Sequence, residues 1–85
     1  MIFNFREISC IYEILQILNK GKSKYSKMFK ETKVSHTTLQ RVLNKLIEKK
    51  FVNRHDVGHK KVDYEITDKG RKLLMLLSEL YGLVR

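Results

Sequence analysis

Apolar residues recur along the first part of the chain at helical spacing. Ile8, Ile11, Tyr12, Leu15 and Leu18 fall on one face of a 3.6-residue period, and Cys10, Ile14 and Ile17 make a second stripe beside it. Residues 19–22 stop this helix, with Gly21 as the expected left-handed residue after its last turn. Lys24 and Tyr25 read as a short extended piece. Ser26 is the expected N-cap of a short helix that carries Met28 and Phe29 inward. Residues 32–34 read as a turn, and Ser35 as the N-cap of a helix running to about residue 50. On that helix Leu39, Val42, Leu43, Leu46 and Ile47 line one side, and Thr37, Gln40, Arg41, Asn44 and Lys45 the other. The period then changes to two. Residues 51–56 form a strand, residues 57–60 a turn, and residues 61–66 a second strand with Val62, Tyr64 and Ile66 inward. Thr67 caps a final helix to about Tyr81, and Asp68 suits its positive end. This helix is apolar over half its circumference, through Leu73, Leu74, Leu76, Leu77, Leu80 and Tyr81.

Charge sharpens this picture. The chain has 85 residues and a net charge of +9. The excess is concentrated: residues 20–50 carry ten Lys/Arg against Glu31 and Glu48, whereas residues 62–85 are balanced. A basic block of this kind points to a polyanion. With 42% apolar residues the chain supports one modest core, so residues 1–85 are expected to form a single domain. No run approaches the roughly 20 apolar residues of a membrane span. The start of the chain shows neither a basic n-region nor a cleavage site, so a cytoplasmic location and no membrane partner are expected. A single cysteine excludes an internal disulfide framework.

Two helices joined by a tight turn and followed by a hairpin suit duplex DNA physically. A helix fits the major groove, the helix before it braces it, and the hairpin reaches the backbone alongside. From residue 26 to residue 74 the sequence resembles the winged helix-turn-helix transcription regulators. Residues 35–46 (SHTTLQRVLNKL) carry the cadence of that family's recognition helix. Residues 47–52 (IEKKFV) match its exit into the wing, with Lys50 where the family often has glycine. Residues 64–74 (YEITDKGRKLL) match its return into the last helix. The implied fold is α+β, mainly α: a three-helix core, a two-stranded wing and a C-terminal dimerisation helix. The implied function is sequence-specific binding of double-stranded DNA in transcription control.

On this reading Thr37, Gln40, Arg41 and Asn44 are the base-contacting set, because Gln and Asn pair bidentately with adenine and Arg with guanine. Lys24, Lys27, Ser35, His36, Thr38 and Lys45 are backbone contacts, Ser35 serving equally as a cap and His36 equally as a packing residue. Arg54, Gly58, His59, Lys60 and Lys61 belong to the wing. Apolar surface beyond the needs of one core places Cys10, Ile14, Ile17, Leu74, Leu77 and Tyr81 in a homodimer interface, with Cys10 either near its symmetry mate or simply a buried hydrophobe. Cys10, His36, His55 and His59 are the only soft metal ligands considered, and their spacing makes no zinc motif. No catalytic constellation, cofactor motif or small-molecule site is legible, so no enzyme is expected. The alternatives are a non-specific architectural DNA binder, an RNA binder, and a winged helix used as a protein-interaction module.

Overall fold

The structure, a computed structural model, describes residues 5–56, 58 and 61–83. Four helices and three short strands follow one another: α1 (Phe5–Asn19), β1 (Ser23–Lys24), α2 (Tyr25–Thr32), α3 (His36–Glu48), β2 (Val52–Asp56), β3 (Val62–Ile66) and α4 (Asp68–Leu83). The sheet is antiparallel with β3 in the middle, in the order β1-β3-β2. Ser23 lies opposite Tyr64, and Arg54 lies opposite Tyr64 from the other side. The extended piece is therefore Ser23–Lys24, and it turns a two-stranded wing into a three-stranded sheet.

Helix α1 is the hub, touching α2, α3, α4 and β3. Both of its apolar stripes turn into the core of the one chain: Ile11, Leu15 and Leu18 on one and Cys10 and Ile14 on the other are each at most 2% exposed, and Ile8, Tyr12 and Ile17 are half-buried. Met28, Leu39, Val42, Leu43, Leu46, Val52, Tyr64 and Ile66 close the core from α2, α3 and the sheet. A central helix has neighbours on several sides, so two stripes are what its position requires. This corrects the expectation that Cys10 and Ile14 of the second stripe wait for a partner; Ile17 is half-buried. Cys10 and Ile14 are interior residues, and a disulfide between symmetry-related Cys10 thiols has no surface on which to form. Burial, with Glu13 and Glu7 nearby, pushes the Cys10 thiol up to about 11, which suppresses the reactive thiolate. Leu77 is also nearly buried, and Ile17, Leu74 and Tyr81 pack partly against the core, Tyr81 with its ring centroid 4.6 Å from that of Tyr12.

The turns depart from expectation in one place. Helix α2 starts at Tyr25, straight out of β1, so Lys24 occupies the N-cap and no side chain caps it. Ser26 lies inside the first turn, because the pairing of Lys24 with Asp63 fixes where the strand ends. The other caps agree with the sequence. Lys33 adopts a left-handed conformation (φ 56°) between α2 and α3. Ser35 Oγ accepts the Thr38 N–H at 3.2 Å. Thr67 Oγ1 accepts the Gly70 N–H at 3.0 Å.

The exit from α3 is a Schellman turn. The Phe51 N–H donates to the Leu46 carbonyl at 2.9 Å and the Lys50 N–H to the Ile47 carbonyl at 3.1 Å. Its left-handed residue is Lys50 (φ 69°), the position usually given to glycine. The first turn of α4 is bolted to this corner. Thr67 Oγ1 donates to the Lys50 carbonyl at 2.7 Å, the Thr67 N–H to the Phe51 carbonyl at 3.1 Å, and Lys69 Nζ to the Lys49 carbonyl at 2.8 Å. The strand β2 is thereby aimed alongside α3.

Candidate nucleic-acid interface

Helix α3 presents its polar side to solvent because its other side is fully committed to the core. Leu39, Val42, Leu43 and Leu46 are buried, and Thr37, Gln40, Arg41 and Asn44 are all exposed. The structure divides these four. Gln40 and Asn44 lean toward the sheet, where with Tyr25, Leu43, Arg54 and Tyr64 they line an open groove of about 440 Å³. Arg41 points the other way, toward the start of α1. There its Nε lies 3.4 Å from Glu7 Oε2, and Lys45 Nζ lies 3.2 Å from the same oxygen. Glu7 itself is 4% exposed. Thr37 stands between the two halves at the N-terminal end of the face.

The residues expected to contact the backbone take several roles. Ser35 is the α3 cap, and its hydroxyl also donates to Thr38 Oγ1 at 3.0 Å. His36 is a packing residue: its ring stacks on Phe29 with centroids 3.7 Å apart, and Tyr25 Oη lies 3.1 Å from its Nδ1 and 3.4 Å from its carbonyl oxygen. Burial and the neighbouring Tyr64 raise the Tyr25 phenol above its ordinary value. Lys27 is exposed on α2. Lys24 and Lys61 are brought together by the β1–β3 pairing and line a second groove of about 400 Å³ with Tyr25, Ser26, Val62 and Tyr64.

On the wing, Arg54 is half exposed, with its Nε 3.5 Å from Asp56 Oδ1. Gly58 has a φ of +123°, which favours glycine at the hairpin turn, and its carbonyl accepts the Lys61 N–H at 3.2 Å. His59 and Lys60 lie outside the described residues. His55 Nε2 is 2.9 Å from Glu65 Oε1 across the hairpin. Among the described residues no group of three or more His, Cys, Asp or Glu is placed to hold a metal ion, and no helix is long and apolar enough to cross a membrane.

Three residues of this surface escaped the sequence reading. Tyr25 and Tyr64 form the aromatic floor of both grooves, although only their inward or extended placement was legible. Glu7 lies 34 and 38 residues from its partners, and no local pattern couples positions so far apart.

A family model described as winged helix-turn-helix matches residues 6–84. No curated protein matches the sequence. Among solved structures, smu.1704 from Streptococcus mutans UA159 is similar with a TM-score of 0.86 at 23% identity, over 99% of this chain and 86% of that one. Sso10a-2, a DNA-binding protein from Sulfolobus solfataricus, gives a TM-score of 0.79 at 20% identity, over 89% of this chain and 78% of that one. A MarR-family transcriptional regulator from Silicibacter pomeroyi gives 0.75 at 21% identity, over 84% of this chain and 49% of that one. At these identities the likeness is one of fold.

Proposed function

The chain belongs to the winged helix-turn-helix family, and on that premise we propose that it is a sequence-specific double-stranded DNA-binding protein that regulates transcription inside the cell as a homodimer. One observation carries the reading. The face of α3 opposite the core is polar, with Thr37, Gln40, Arg41 and Asn44 exposed on it, and the sheet holds Arg54 beside Gln40 and Asn44. A helix seated in the major groove would set Gln40 and Asn44 against base edges, where a bidentate amide–adenine pair discriminates by about 1–3 kcal/mol. Lys24, Lys27 and Lys61 would meet phosphates, which supplies affinity without sequence preference. No covalent chemistry enters this account.

The homodimer rests on α4. Leu76, Leu80 and Leu83, four and three residues apart, are exposed by 59%, 50% and 83%, with Met75 at 57% on the same helix. Such an exposed apolar stripe suits self-association. A two-fold pair would present two α3 helices about 34 Å apart, for successive major grooves.

Selection of bound sequences from random duplex DNA, followed by titration of the selected duplex against a scrambled one, tests the reading. Gln40→Ala should weaken binding to the selected duplex by roughly 1–3 kcal/mol and relax one or two base positions. Lys24→Ala should weaken both duplexes alike. A Gln40→Ala protein with unchanged affinity and preference would remove α3 as the reader. Equal binding of selected and scrambled duplexes would favour the architectural alternative.

A further inference from the structure

We propose that Glu7, buried behind two cations of α3, is a positioning residue that sets how selectively α3 binds. The inference rests on the DNA-binding reading and deepens it. Glu7 sits in the first turn of α1, is 4% exposed, and reaches two cations one turn apart on α3. Its Oε2 takes the Arg41 Nε–H at 3.4 Å and the Lys45 ammonium at 3.2 Å, and its Oε1 lies 3.5 Å from the same ammonium. Both partners keep part of their side chains in solvent, Arg41 49% and Lys45 31%.

Two consequences follow for a helix that meets DNA. The first concerns orientation. A free arginine sweeps a wide arc and pairs with whichever phosphate is nearest. With Nε directed at Glu7, the guanidinium plane of Arg41 is fixed from behind, and its two terminal nitrogens are the donors left to meet a guanine edge. The second concerns charge. The buried carboxylate offsets part of the positive charge that Arg41 and Lys45 bring to this side of α3. The generic attraction to phosphate is reduced there, while directional hydrogen bonding is retained. Both effects favour readout over adhesion, and specificity is a difference between the two. Gln40 and Asn44 on the groove side are uncharged and need no such restraint.

The experiment compares wild type with Glu7→Gln, an isosteric change that keeps one hydrogen-bond acceptor and removes the charge. Binding to the selected and to a scrambled duplex is measured from 50 to 300 mM salt. For the variant, the log–log salt slope on scrambled DNA should steepen by about 0.9 per subunit, and so by about 1.8 for the dimer, the value for one further phosphate neutralised by each copy. Affinity for scrambled DNA at the lowest salt should rise by roughly three- to tenfold, and the ratio between the duplexes should fall accordingly. A folded Glu7→Gln protein with the wild-type slope and ratio overturns the proposal and leaves DNA binding by α3 intact. Wild-type protein that binds no duplex overturns both. Should the variant fail to fold, the Arg41 Nε–H of the wild type decides by NMR. Exchange clearly slower than in the exposed Arg71 side chain supports the restraint, and equal exchange overturns it.

Discussion

At the scale of single residues, the clearest departure from the family pattern is Lys50. The Schellman turn at the end of α3 requires a left-handed residue there, and Lys50 supplies it at φ 69°. A side chain in that conformation costs of order 1 kcal/mol. Glycine would relieve the strain and give back part of the gain through the greater freedom of the unfolded chain. Lys50→Gly should therefore raise stability by about 0.5–1 kcal/mol, seen as a higher urea midpoint with an unchanged slope. A lower midpoint would mean that the Lys50 side chain makes a contribution exceeding the strain. The position was legible as unusual from the sequence, because a lysine stood where the pattern often has glycine. Its left-handed geometry was not, since that depends on how the chain leaves the helix.

At the scale of elements, α3, β3 and α4 were legible because each turns regularly spaced apolar residues toward the core, whereas β2, buried only at Val52, was legible mainly from its place before the turn. The caps at Ser35 and Thr67 were legible because a hydroxyl at those positions has a local partner three residues on. Ser26 misled because the same local rule was outweighed by a strand pairing formed with residue 63, far along the chain. The crowding of α1 was likewise invisible: two stripes look like surplus until neighbours on several sides are known. The docking of α4 on the α3–β2 corner is the tightest of these junctions. A Cβ on Gly70 would overlap the Phe51 carbonyl oxygen and approach Ile66 Cγ1 to 2.8 Å, and the carbonyl belongs to backbone that is already hydrogen bonded. Gly70→Ala should destabilise the fold by about 2–3 kcal/mol or more, as overpacking against a rigid wall does. Gly82 lies on the same helix with nothing within 4 Å of its would-be Cβ, so Gly82→Ala should be neutral or stabilising by up to about 1 kcal/mol. Thermal melts of the two variants form a matched pair. Similar behaviour of both would show that α4 does not sit against Phe51 as described.

At the scale of the whole molecule, the unspent apolar surface lies on α4 rather than α1. Leu80→Glu should convert the proposed dimer to a monomer in sedimentation while leaving the melting temperature of the single chain nearly unchanged, because the residue is half exposed. The same variant should lose most of its affinity for a two-half-site duplex and about half of its salt slope. A wild-type protein that sediments as a monomer at micromolar concentration would end the dimer reading. The two-residue strand β1 has a bearing on how the molecule assembles. Its pairing with β3 closes a chain loop of roughly forty residues that contains α2, α3 and β2. Closing a loop of that length costs about 3 kcal/mol in chain entropy, more than so short a ladder returns by itself. The loop is therefore expected to shut after the helices inside it have packed, which later protection of the residue 23 and 24 amides than of the α3 amides in pulsed hydrogen exchange would show. Tyr25 and Tyr64, held together by that closure, are walls of the groove beside Gln40 and Asn44. Gln40 and Asn44 are carried by α3 itself, so a chain that has not closed this loop keeps its reading residues but lacks the Tyr25–Tyr64 side of the groove that flanks them.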